Sequence, residues 1–153
     1  MTTTVVVERR IAASPGRVWE SLTDLRRLPR LLTGVRRVEV LTEGGFAVGT
    51  RWRETRRLLG REATEEMTVT VCVPPERYAT VAGTRGFRYD SEVTLRAEGP
   101  GACVLRASFT ARPAPGRKPG PAARLLARAG ARAVAKSLAK DLEDLAMAVE
   151  SPF

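Results

Sequence analysis

At 153 residues, with 43% hydrophobic and 28% charged side chains, the chain has the size and composition of one soluble domain, 1–153, able to bury a real core. It contains no histidine, asparagine or glutamine, which excludes histidine-dependent triads, histidine-ligated metals and imidazole proton shuttles. The formal charge of +9 raises nucleic acid and anionic membranes as partners, yet it is almost all arginine spread along the chain, and charge alone does not choose between them.

The start, MTTTVVVERR, has an apolar run of three valines followed at once by charge, unlike a signal peptide. No run approaches the roughly 20 apolar residues of a membrane helix. A cytoplasmic protein without integral membrane association is expected. Residues Thr4 to Ile11 read as a strand with Val5, Val7 and Ile11 on one side. SPGRVWESL then opens a helix, with Ser14 as cap and Pro15 in the first position, where its missing N–H costs nothing. Val18, Trp19 and Leu22 form its apolar stripe, which makes Trp19 a packing residue. Asp24 is placed to cap a second short helix, LRRLPRLL, that ends at Gly34.

Strands and turns follow. VRRVEVLT leads through the turn EGG into VGTRWRETRRL, and a tight turn at Leu59–Gly60 leads into EATEEMTVTVCV, where Met67, Val69 and Val71 read as one core-facing row. PPE breaks the run. RYATVAG, FRYDSEVTLRA, the turn EGPG and ACVLRASFTA complete a meander of antiparallel strands. RPAPGRKPGP is a hinge into a single long helix from Ala122 to Val149, where Leu126, Val134, Leu138, Leu142, Leu145 and Val149 recur at spacings near three and four. Cys72 and Cys103 are too few for a structural zinc site and read as buried free thiols; neither a metal nor a cofactor is expected.

This order gives an α+β fold in which a curved antiparallel sheet of about seven strands wraps a long C-terminal helix, with two short helices after the first strand. A sheet curved around a helix leaves a gap between the two. WRETR (52–56) fits such a gap, because both of its faces are polar, which a strand packed on a solid core would not allow. A two-residue loop at Leu59–Gly60 sets Glu54 opposite Glu65, Arg56 opposite Ala63 and Trp52 opposite Met67, all on the core side. Two carboxylates so placed have Cβ atoms about 4.5–5.5 Å apart and repel unless a cation bridges them. Arg56, diagonally across, is placed to bridge both. The cluster reads as a polar anchor or acid–base pair in an apolar cavity, or as a structural ion-pair network, the commoner use of such groups. Trp52, Met67, Phe87, Tyr89 and Phe109 fit the walls of a cavity and equally plain core; Ser91 shares a face with Tyr89 and is placed to partner its hydroxyl.

The segments IAASPGRVWESLTDLRRLP (11–29), GTRWRETR (49–56), GREATEEM (60–67), GFRYDSEVTL (86–95) and the alanine- and leucine-rich C-terminal helix resemble the START-like, or polyketide cyclase/dehydrase-like (SRPBCC), superfamily over nearly the whole chain, its middle motifs resembling a bacterial branch. Leu31 stands where many members carry an aromatic residue. The resemblance implies the helix-grip fold and a deep cavity between sheet and C-terminal helix that holds hydrophobic ligands. Two functions stand on that expectation. One is binding of a small hydrophobic molecule, lipid- or polyketide-like, by Trp52, Glu54, Arg56, Glu65, Met67, Tyr89, Ser91 and Phe109. The other is a polyketide cyclase/dehydrase-like enzyme in which Glu54, Glu65, Arg56 and Tyr89 transfer protons and stabilise an enolate. Arg124, Arg128, Arg132, Lys136 and Lys140 recur every four residues on the last helix, a basic stripe without interleaved aromatics, which reads as a solvated face; no specific nucleic acid is expected. A monomer or homodimer is expected.

Overall fold

The computed structural model describes residues 2–58, 60–84, 86–113 and 121–150, with side chains over the same ranges except 58, 84 and 121–129. The turn residue Leu59, most of the 112–121 hinge and the side chains of Leu126, Arg124 and Arg128 thus lie outside the described residues. Strand β1 (Thr3–Ile11) is followed by α1 (Pro15–Thr23), a 3-10 turn (Leu25–Arg27) and α2 (Leu28–Leu31). Strands β2 (Val35–Val40), β3 (Arg51–Leu58), β4 (Arg61–Val73), β5 (Arg77–Thr84), β6 (Phe87–Ala97) and β7 (Cys103–Pro113) then lead to α3 (Pro121–Glu150). All seven strands form one curved antiparallel sheet in the order β1-β7-β6-β5-β4-β3-β2. This is the helix-grip arrangement.

Local chemistry explains the starts and turns. The Ser14 hydroxyl accepts from the Arg17 N–H at 3.4 Å, and Pro15 opens α1. Asp24 makes no side-chain cap; it lies 3.8 Å from Arg27 in an exposed pair. Gly60 has φ +74°, the left-handed conformation that closes the β3–β4 hairpin and suits glycine. The link from β2 to β3 is longer than the expected EGG turn: β2 stops at Val40 and β3 begins at Arg51. In between, the Thr50 hydroxyl accepts from Ala47 N–H at 3.0 Å and donates to Gly45 O at 3.3 Å, which folds Phe46 back over the core.

The expected row Met67, Val69, Val71 breaks at its last member. Pairing of β4 with β5 slips between Val69 and Val71, a bulge at Thr70. Beyond it Val71 pairs with Ala79 and Cys72 with Tyr78, so Cys72 takes the inner face. One extra residue flips the face of everything after it.

The core joins Ile11, Cys103 and Leu105 of the sheet's inner face to Val18 of α1 and Leu142, Leu145, Ala146 and Val149 of α3. Leu138 and Val134, one and two turns earlier, are half-buried. Three acidic residues of α3 tie the helix to three other parts of the fold. Glu150 accepts from Ala12 N–H at 3.1 Å, and Asp144 accepts from the Thr33 N–H and hydroxyl at 3.0 and 2.8 Å. Asp141 accepts from Arg56 of β3 at 2.8 Å. Arg132, Lys136 and Lys140 lie on the opposite, exposed face. Both cysteines are free thiols.

Candidate functional site

β3 and β4 pair Glu54 with Glu65, Arg56 with Ala63 and Trp52 with Met67, the register a two-residue hairpin loop demands. The inner face of this hairpin looks across to α3, where Val134, Ser137, Leu138 and Asp141 share one side at helical spacing. Between them lies a cleft of about 160 Å³. Met67, Phe109, Val134 and Leu138 supply apolar walls, and Glu54, Arg56, Glu65, Ser91 and Ser137 supply polar ones.

Arg56 organises the polar end. Its Nε donates to Glu54 Oε2 at 3.2 Å, and its Nη1 donates to Asp141 Oδ2 at 2.8 Å and to Ser137 Oγ at 3.1 Å. Glu54 Oε1 accepts from the Trp52 indole N–H at 3.3 Å, so both of its oxygens are engaged. The Arg56 and Glu54 side chains retain 22% and 14% of their exposure, so these contacts are largely shielded from water. Gly34 closes the rear of the cluster: a Cβ there would stand 3.3 Å from Arg56 Nη1 and 3.7 Å from Asp141 Oδ1.

Glu65 has no hydrogen bond or ion pair to any described residue, although it faces Glu54 and lines the cleft. Burial first, then the Glu54 charge, raises its carboxyl above the usual range, against the opposing pull of Arg56. Asp141 is raised to about 6; burial outweighs the Arg56 ion pair, and Glu54 and Asp144 add to the rise. Its Oδ1 is buried without a hydrogen-bond partner. Arg56 moves the other way from a lone buried cation: burial would lower it, but Asp141 and Glu54 hold it above its ordinary value. The Tyr78 phenol is raised by burial and by Glu54 and Asp141, so it stays protonated near this cluster. Asp144 is outside the cleft; burial would raise it, but the Thr33 and Lys140 hydrogen bonds outweigh that and lower it.

Of the residues singled out from sequence, Glu54, Arg56, Glu65, Met67, Ser91 and Phe109 meet at the cleft. Trp52 and Tyr89 do not line it. Trp52 is 4% exposed and belongs to an aromatic cluster with Phe46, Tyr78 and Trp19. Tyr89 is sandwiched between Phe87 and Phe109, with ring centroids 6.5 and 5.3 Å away. The bridge expected from Arg56 to both glutamates reaches Glu54 alone; Asp141 takes the second place. Sequence reasoning passed over Asp141, Ser137 and Tyr78. Their signals were present: Ser137 and Asp141 interrupt the apolar stripe four residues apart, and Tyr78 is the second residue of the strand after PPE. Among the described residues no group of three or more Cys, Asp or Glu side chains is placed to hold a metal ion.

A curved sheet closed on a long helix, with a partly polar cleft between them, defines a START-like helix-grip domain. The chain belongs to the family described as polyketide cyclase/dehydrase and lipid transport, whose model matches residues 2–150. None of the curated proteins matches it. Among solved structures, it is similar to the Zhui aromatase/cyclase from a Streptomyces species at 18% identity and TM-score 0.81, covering 98% of this chain and 94% of that one. It is similar to norcoclaurine synthase from Thalictrum flavum, solved with dopamine and hydroxybenzaldehyde, at 18% identity and TM-score 0.77, covering 100% and 89%. A START superfamily protein from Mycobacterium smegmatis matches at 18% identity and TM-score 0.68, covering 93% and 98%. At these identities the likeness is one of fold.

Proposed function

We propose that the protein binds a small hydrophobic molecule, lipid- or polyketide-like, in the cleft between α3 and the sheet, with the molecule's polar end against Glu54, Arg56 and Glu65. The observation that carries this is the division of the lining: apolar walls from Met67, Phe109, Val134 and Leu138, and a single charged end. A network built only for stability would pair all its charges, because an unpaired buried charge costs several kcal/mol. Glu65 instead faces the cleft unpaired. The volume of about 160 Å³ suits one ring with a short chain and falls below the ~300–1,000 Å³ of sites that enclose drug-sized ligands. The family description, which joins polyketide chemistry to lipid transport, supports the ligand class. Native mass spectrometry of the protein as purified, followed by organic extraction, tests this reading. The expected result is a bound mass that is released by solvent; a spectrum without adduct, and no response to added apolar molecules, would contradict it.

Glu65 also favours a second reading, a polyketide cyclase/dehydrase-like enzyme. A carboxylate free of partners and raised by burial has the properties of a general base. It would take a proton from a carbon beside a carbonyl, while the Arg56 guanidinium stabilises the enolate oxygen that forms. Glu54, with both oxygens engaged, would hold Arg56 in place. On this reading Glu65→Gln abolishes turnover and leaves the affinity for a neutral ligand within a few-fold; turnover that persists in the variant removes Glu65 as base.

A further inference from the structure

The charge balance of the cleft narrows the ligand further, given that the cleft is a ligand site at all. Three carboxylates gather there, Glu54 and Glu65 on the hairpin and Asp141 on α3. Among the described residues Arg56 is the one cation lining the cleft, and two of the three carboxylates already hold it, Glu54 at 3.2 Å and Asp141 at 2.8 Å. Its Nε and Nη1 donate to Glu54, Asp141 and Ser137, so two carboxylates already balance the Arg56 charge and only Nη2 is left to face the cleft. What faces an incoming molecule is therefore the unpaired Glu65 carboxylate, flanked by the Ser91 hydroxyl on the sheet and the Ser137 hydroxyl on the helix.

The sign of this site opposes the sign of the whole molecule, which carries +9. The two act at different ranges. Surface arginines and lysines are screened over a Debye length of about 8 Å at physiological salt, whereas shielded charges within a few ångströms of a ligand are not. Close to the cleft the local excess of carboxylates decides the outcome. A ligand carboxylate would meet Glu65 and Glu54 with no unbalanced cationic charge to offset its own. A ligand ammonium would offset the excess and give Glu65 the partner it lacks.

We propose that the cleft selects apolar molecules whose polar end is an amine and discriminates against carboxylates, with Glu65 as the residue that receives the amine. This excludes free fatty acids and aromatic acids as preferred ligands, and it separates the site from the simple expectation that so basic a protein collects anions.

The test compares 2-phenylethylamine, 2-phenylethanol and phenylacetate, which share a ring and a two-carbon chain and differ in the charge of the end. Dissociation constants are measured by NMR titration of the full chain at pH 7.5. The amine should bind about tenfold tighter than the alcohol, the difference between an ion pair and a hydrogen bond from a neutral donor to the same carboxylate, and the acid weakest of the three. Glu65→Gln should remove most of the amine's lead, bringing amine and alcohol to within a few-fold of each other. Phenylacetate binding as tightly as the amine would overturn the charge inference and leave the cleft standing as a ligand site. An amine lead that survives Glu65→Gln would overturn the role given to Glu65. Failure of all three molecules to bind would take down the cleft reading and this proposal together. Should the variant fail to fold, the ranking on the unaltered protein still decides the charge question.

Discussion

Arg56 is the side chain on which the polar end of the cleft depends. It holds two shielded carboxylates, and removing it would leave both without their cation. Arg56→Met should therefore destabilise the protein by about 3 kcal/mol at pH 7, the range seen when one partner of a buried pair is deleted. Urea denaturation at pH 7 and pH 5 checks this. The loss should shrink at pH 5, because the stranded carboxylates then take up protons; an equal loss at both pH values would show that Arg56 acts by packing alone. Asp141 gives a second, opposite signature in the unaltered protein. Its carboxyl lies at about 6 in the folded state against 3.8 as the ordinary value, so the folded state binds the proton more tightly than the unfolded state does. Stability from this group is full below pH 4 and is lost as pH rises through about 6. Glu65, also raised, has the same sign, whereas Asp144, lowered, acts the other way. Asp141→Asn should flatten the fall in unfolding free energy between pH 4 and 6.5, and an unchanged profile would contradict the burial of that charge.

At the scale of elements, the last turns of α3 grip the sheet through an apolar stripe. Leu145, 1% exposed, sits in the core with Leu142, Ala146 and Val149, while Met147 on the same helix is 66% exposed. Leu145→Ala should cost about 3 kcal/mol in chemical denaturation, and Met147→Ala within about 0.5 kcal/mol. Equal effects would mean the helix does not grip the sheet through this stripe. That stripe was legible in the sequence because helix periodicity is a strong local signal. So was the Glu54–Glu65 pairing, since a two-residue loop fixes register and Gly60 supplies the backbone conformation it needs. The bulge at Thr70 was not legible: nothing in TVTVCV marks where an extra residue will sit, because the bulge answers to strand curvature set by the whole sheet. Asp141 was missed for a related reason. Its partner Arg56 is 85 residues earlier, and no local rule joins them. The aromatic cluster of Trp19, Phe46, Tyr78 and Trp52 draws on four separate elements, so the loss of Trp52 from the cleft wall was equally hidden.

For the whole molecule, fold and family agree on a helix-grip domain, and much of its positive charge lies on its surface. Arg132, Lys136 and Lys140 are exposed, and no helix among the described residues is long and apolar enough to cross a membrane. Nucleic-acid binding, if driven by this charge alone, should be weak and should vanish between about 50 and 200 mM salt. Sequence-selective binding that persists above that range would demand a recognition surface not described by charge. The proposed ligand binding belongs to the interior. Titration of the protein with 2-phenylethanol, read by 13C methyl NMR, tests it most directly, because the methyl groups of Met67, Val134 and Leu138 line the cleft while those of Leu145 and Val149 lie in the closed core. Saturable shifts are expected at the first three and little change at the last two. Shifts confined to surface methyls such as Val48, or none at any methyl at millimolar ligand, would contradict binding in the cleft.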